Sequence, residues 1–205
     1  MVSIQSLHVK YGHLNVIEDF SYNFQNNKIS VLFGPSGCGK STLLNAIAQT
    51  ITYTGQIDRK DLFAYVFQED RLLPWMTVYE NIAFVLKAQM EKAQYEKKID
   101  DYLSLVNMKD YKNHYPNQLS GGMQRRVSIA RAFCYPGDLL LMDEPFKGLD
   151  QELKLAIMND FKRLWQEDKK TVIFVTHDKD EALHLGNHIV YLDGLPLEVT
   201  NEENL

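Results

Sequence analysis

The sequence predicts an α/β fold with a mostly parallel sheet and an inserted helical lobe. Its later β-rich runs are short, solidly apolar and separated by helical patterns, as strands covered on both faces of a parallel sheet are. Residues 77–116, by contrast, read as helix after helix without an apolar strand. With 45% apolar and 24% charged residues over 205 positions, the chain is long enough for a single large domain. Its core is expected at 1–76 and 117–205, with the lobe at 77–116.

Taken in order, β-type runs lie at residues 3–9, 19–24, Ile29–Phe33, 64–67, 139–142, 171–175 and 188–192. Helical periodicity covers 40–49, 77–90, 91–107, 122–133, 151–168 and Lys179–Leu185. In the 151–168 segment Leu153, Ala156, Ile157 and Leu164 share one face. Asp178 followed by Glu181 has the spacing of a helix-starting capping box.

Composition removes several function classes. Net charge is −5 with no basic block, so the electrostatic footprint for nucleic acid or anionic lipid is missing. No apolar run reaches the ~20 residues that span a bilayer. Residues 1–10 read as a strand rather than as a signal peptide. Two cysteines, Cys38 and Cys134, support neither a metal site nor a disulfide framework, which points to a reduced cytosolic setting. A membrane enters only through a partner.

The apolar run Ile29–Phe33 leads into Gly34-Pro35-Ser36-Gly37-Cys38-Gly39-Lys40-Ser41-Thr42, and a helix follows. This is G-x-x-x-x-G-K-[ST] in its required strand–loop–helix setting, which marks a P-loop NTPase core. Small residues let backbone N–H groups converge on phosphate oxygens, and the helix N-terminus adds its dipole. Lys40 is expected on the β/γ-phosphates and Ser41 on Mg²⁺. At Cys38 the loop needs backbone and no thiol.

A second apolar run ends in Asp143-Glu144. Beside a phosphate loop, Asp143 is expected to hold Mg²⁺, and Glu144 to polarise the attacking water as general base. A third run ends at Thr176-His177-Asp178. Parallel strands deliver their carboxyl ends to one edge, which places His177 within reach of the γ-phosphate. Leu119-Ser120-Gly121-Gly122-Met123 then opens another helix, a second anion-binding arrangement of hydroxyl, glycine amides and helix N-terminus. One phosphate loop already serves one nucleotide, so the second arrangement suits a symmetric dimer in which each copy covers the other's ATP.

On these motifs, and on their order, nearly the whole chain resembles the ABC ATPase family, whose signature is the Leu-Ser-Gly-Gly segment. The resemblance implies further roles. Tyr11 corresponds to the aromatic that stacks on adenine. Gln68 corresponds to the glutamine that senses γ-phosphate and Mg²⁺ and joins the core to the helical lobe. Gly148-Leu149-Asp150 corresponds to the loop that crosses the dimer interface, and His177 to the switch histidine. It also implies a small antiparallel N-terminal β part. The short 42–68 segment suggests that this part is trimmed, and the extra C-terminal domain some members carry is not expected after residue 192. Two residues depart from the pattern: Lys147 stands where a small or hydroxyl residue is frequent, and Arg125 stands where glutamine is common.

Within the family, the stretch from Gln68 through Leu72-Leu73-Pro74-Trp75-Met76 to Asn81 resembles the ATPases of bacterial importers of nitrate, sulfonates and taurine. The apolar cluster 72–76 reads either as loop packing or as a groove that receives a short helix of a membrane subunit. The resemblance thus implies an ATP-hydrolysing, Mg²⁺-dependent transporter subunit. It would lie at the cytoplasmic face of the membrane as a homodimer or with a paired ATPase subunit. It would act on permease subunits and, through them, on a solute-binding protein. An exporter ATPase and a non-transport ABC ATPase are the alternatives; the latter usually brings coiled coils, a tandem cassette or basic arms, none of which the sequence contains.

Overall fold

A computed structural model describes residues 2–59 and 62–205. Met1, at the head of the expected first strand, lies outside the described residues. In chain order the elements are β1 (Val2–Tyr11), β2 (Leu14–Phe24), β3 (Ile29–Phe33), α1 (Lys40–Ile47), β4 (Thr54–Asp58) and β5 (Phe63–Val66). There follow α2 (Val78–Leu86), α3 (Lys92–Leu105), α4 (Gly121–Cys134), β6 (Leu139–Asp143), α5 (Gln151–Glu167), β7 (Thr171–Thr176), α6 (Lys179–Leu185), β8 (His188–Asp193) and β9 (Glu198–Asn204). Short 3₁₀ turns occupy Lys109–Tyr111 and Pro116–Gln118.

The chain divides into two compact units. The first comprises Met1–Leu62, Asp138–Glu144 and Lys170–Leu205. Its N-terminal part is an antiparallel sheet in the order β2-β1-β4, the small antiparallel part that was expected. The rest is a sheet running β6-β7-β3-β8-β9, parallel except for β9. Successive side chains of a strand point to opposite faces. In β7 all six residues are buried, and so are Leu139 to Met142 of β6, so both faces of these strands are covered. Helix α1 packs on β6 and β7, and α6 on β3 and β7.

Two strands fall outside the sequence-based expectation. β4 (TGQID) and β9 (EVTNEEN) are polar and largely exposed, and each pairs antiparallel with a single neighbour, β1 and β8 respectively. Their partners decide them, not their own hydrophobicity. Residues 42–68 therefore hold a strand of the antiparallel sheet despite being few.

The second unit comprises Phe63–Gly137 and Pro145–Lys169. Helices α2, α3, α4 and α5 pack together, and Phe133 of α4 meets Phe161 of α5 edge-on at 5.3 Å. Thr77 starts α2 through a reciprocal box: its hydroxyl accepts from Glu80 N at 3.2 Å, and the Glu80 carboxylate accepts from Thr77 N at 2.8 Å. Asn81, in the same helix, is 1% exposed. Its carboxamide oxygen accepts from Leu73 N at 2.7 Å, and its nitrogen donates to Leu73, Met76 and Thr77 carbonyls at 3.0–3.1 Å. One buried side chain thereby shapes the apolar loop around Trp75, which is itself 69% exposed.

Candidate active site

In the first unit the parallel register decides what meets. Phe33 of β3 lies opposite Thr176 of β7, and Asp143 of β6 lies opposite Val175. The phosphate loop, the acidic pair and His177 therefore all leave the sheet at one edge within a residue or two of each other.

The loop itself is set by two close approaches. A Cβ on Gly34 would collide with the carbonyl of Leu192 on β8, and Gly39, with φ 107°, caps α1 in the left-handed region beside Val16 and Leu197. Only glycine meets both demands without strain. Pro35, Ser36 and Gly37 form an exposed crest, while Cys38 and Lys40 are buried beneath it. The Lys40 ammonium donates to the carbonyls of Gly34 at 2.8 Å and Pro35 at 2.6 Å, with Cys38 Sγ at 3.9 Å. Just beyond, Ser41 Oγ donates to Asp143 Oδ1 at 2.9 Å. These are two hard oxygen donors on adjacent elements. Thr42 follows on the first turn of α1.

Glu144 is turned off the end of β6. Its φ of 43° is unusual for a residue with a side chain, and its N–H is pinned to the Val175 carbonyl at 3.0 Å. This backbone turn brings Glu144 Oε1 to 2.8 Å from His177 Nδ1. His177 is held from both sides. The hydroxyl of Thr176 donates to Glu181 at 2.6 Å and accepts from Asp178 N at 3.0 Å. Asp178 caps α6 by accepting from Asp180 N and Glu181 N. Thr176 and Glu181 thus support the site without having been singled out for it; the capping spacing of Asp178 and Glu181 was the available signal. Tyr11 stands exposed at the end of β1, where Gly12 and His13 turn the hairpin into β2.

The second unit holds the remaining residues. Ser120 caps α4, its hydroxyl accepting from Met123 N at 3.3 Å. Gly121 faces open space, whereas a Cβ on Gly122 would meet Leu153 of α5 at 2.7 Å. Gly148 has φ 80°, Leu149 follows, and Asp150 caps α5 by accepting from Leu153 N at 2.9 Å. Gln68 is exposed in the loop after β5. The guanidinium of Arg125 donates to the Phe67 carbonyl at 2.8 Å and to the Gln68 carbonyl, and Arg131 donates to those of Asp70 and Arg71. Burial pushes the Asp70 carboxyl above its usual range, and the charges of Arg125 and Arg131 pull it back.

Residues 17–147 match the family model described as "ABC transporter". The chain belongs to the ABC transporter family. The aliphatic sulfonates import ATP-binding protein SsuB of Bacillus thuringiensis subsp. konkukian is 38% identical over 200 residues, covering 92% of this chain and 78% of that protein. Among solved structures, the dimeric ABC transporter cassette MJ0796 superposes with a TM-score of 0.83 at 32% identity, covering 100% of this chain and 99% of that one. A post-hydrolysis dimer of the same cassette, bound to ADP and Pi, gives 0.81 at 33% identity with the same coverage. The family's cassettes share the mixed α/β architecture described above, with a mostly parallel sheet beside an antiparallel one. Among the described residues no helix is long and apolar enough to cross a membrane.

Proposed function

We propose that this chain is the ATP-hydrolysing subunit of an ABC importer, working as an ATP-sandwiching dimer beneath permease subunits at the cytoplasmic face of the membrane. The observation that carries the reading is the convergence of Lys40, the Ser41–Asp143 pair and the Glu144–His177 pair on one sheet edge. Such an edge is suited to in-line transfer of a phosphoryl group to water.

In this reading the amides of residues 34–42 and the Lys40 ammonium bind the ATP phosphates, and Tyr11 stacks on the adenine. Glu144 accepts the proton of the attacking water as its oxygen bonds to the γ-phosphorus and the bond to the ADP oxygen breaks. His177 holds the Glu144 carboxylate in place and faces the γ-phosphate, and Gln68, in the loop that leads from β5 to the helical lobe at 77–116, orients the water. Ser120, Gly121, Gly122 and Met123 of a second copy, or of a paired ATPase subunit, close over the same nucleotide. Gly148-Leu149-Asp150 lies along that interface.

Ser41 and Asp143 also suit Mg²⁺. Among the described residues no group of three or more His, Cys, Asp or Glu side chains could hold a metal alone. A small divalent ion here would complete its shell with phosphate oxygens and water, as Mg²⁺ prefers. Bound there, it would neutralise charge on the β- and γ-phosphates. The similarity to SsuB supports import of small solutes such as sulfonates, delivered by a solute-binding protein.

The deciding experiment is the solution mass of Glu144→Gln with and without Mg·ATP. A nucleotide-dependent shift from monomer to dimer is expected. A chain that binds ATP and stays monomeric contradicts the composite site.

A further inference from the structure

We infer that Arg125 is a positioning residue for Gln68, acting through an ionic clamp that α4 places on the loop after β5; the inference rests on the ATPase reading above. Once β5 ends at Val66, the chain leaves the strand, and four carbonyls in the next five residues receive guanidinium N–H groups from α4. Arg125 Nη1 donates to Phe67 O at 2.8 Å and Nη2 to Gln68 O. Arg131 Nη2 donates to Asp70 O at 2.9 Å and Nη1 to Arg71 O at 3.0 Å. Arg125 Nε stands 3.1 Å from Asp70 Oδ1. Arg71, in the left-handed region at φ 45°, lays its own guanidinium 3.6 Å over the ring of Phe67, which stacks on Tyr65. The backbone of Gln68 is thus fixed from several directions while its side chain faces solvent.

Arginine is the one side chain that can do all of this from a single position. Its planar fork donates to two carbonyls while its charge stands beside a carboxylate. Glutamine has two N–H donors and no charge, and lysine is a single flexible point charge. Stability alone does not explain the arrangement. Burial works against the charged forms of both Arg125 and Asp70, and a buried pair of this kind often adds nothing net to folding. What it supplies is geometry. The helix that carries Arg125 begins with Gly121, one turn earlier. At 1.5 Å per residue, Ser120 and the clamp are only about 7 Å apart along one rigid rod. A shift at the signature end of α4 is therefore a shift of the Gln68 backbone.

The test is a kinetic cycle on the full chain with Mg·ATP, using Gln68→Ala, Arg125→Lys and the double variant. Arg125→Lys should lower kcat about ten- to a hundredfold, as misplacement of a catalytic group does, and leave the ATP dissociation constant within about twofold. In the Gln68→Ala background it should lower kcat no further. The paired substitution Arg125→Gln with Asp70→Asn removes both charges together and guards against misfolding. It should keep the Tm near that of the unsubstituted chain and still lose kcat. Losses that multiply in the double variant overturn the inference, as does full kcat in the Arg125→Gln/Asp70→Asn chain. If Gln68→Ala itself leaves kcat unchanged, the catalytic reading of Gln68 fails, and the inference falls with it.

Discussion

Gly121 and Gly122 are neighbours in one motif with opposite surroundings, and substituting each by alanine separates packing from chemistry. At Gly122 the added Cβ would stand 2.7 and 2.8 Å from the Leu153 methyls and 3.1 Å from its Cγ. Carbon atoms sit comfortably at about 3.5–4.0 Å, so Leu153 or the α4–α5 spacing must give by nearly an ångström. Overpacking of that order costs about 1–3 kcal/mol. Alanine's helix propensity returns up to about 1 kcal/mol, and the half-exposed Leu153 side chain can yield in part, for a net loss of about 0–2 kcal/mol. At Gly121 nothing lies within 4 Å, so Gly121→Ala should be neutral or stabilising by a few tenths of a kcal/mol. Denaturant unfolding of both variants, with Leu153→Ala as the third corner of a cycle, reads this directly. Leu153→Ala should relieve most of the Gly122→Ala penalty. Equal stabilities for the two alanine variants, or a penalty that persists without the Leu153 side chain, would refute the packing argument. With Gly121→Ala folded as before, any loss of ATP hydrolysis in it belongs to the nucleotide and not to the fold.

Asn81→Ala orphans the half-buried Leu73 N–H and removes the three bonds that its amide donates, for an expected loss of about 1–3 kcal/mol. Asn81→Asp should do no better, because its carboxylate would face the carbonyls of Leu73 and Met76; a thermal midpoint unchanged in either variant contradicts this. Lys40→Ala removes charge-assisted bonds worth about 1.5–3 kcal/mol to phosphate, which is about ten- to a hundredfold in ATP affinity by titration. Wild-type affinity would place the phosphates elsewhere.

The parts of this molecule legible in the sequence are those whose physics is local. The phosphate loop announces itself because Gly34, Gly39, Lys40 and Ser41 must each be what they are at fixed spacing. The strands ending at Phe33, Asp143 and Thr176 are mostly apolar because both their faces are covered. β4 and β9 escaped notice because their residues are polar and only β1 and β8 make them strands. The 77–90 helix was placed correctly at its start and too long at its end, stopping at Leu86. The same limit hid the roles of Arg125 and Asn81. A buried arginine between two polar neighbours looks like any helix residue until the carbonyls it serves, 57 and 58 residues earlier, are known.

The helix starts carry one more argument for two anion sites in the chain. A helix N-terminus attracts anions, but a carboxylate already seated there cancels the attraction. Among the six α-helices of the described residues, α5 and α6 are capped by Asp150 and Asp178. α3 follows Glu91, and α2 carries Glu80 folded back on its own cap. Only α1 and α4 begin on neutral caps, Gly39 and Ser120, with no acidic residue in the first turn. The Ser120 hydroxyl spends an acceptor site on Met123 N and keeps its proton to donate. These two helices are the ones opened by the phosphate loop and by Ser120-Gly121-Gly122. They belong to different compact units of the chain. Neither helix start carries an acidic residue of its own in its first turn, which supports their serving phosphates, one from each copy.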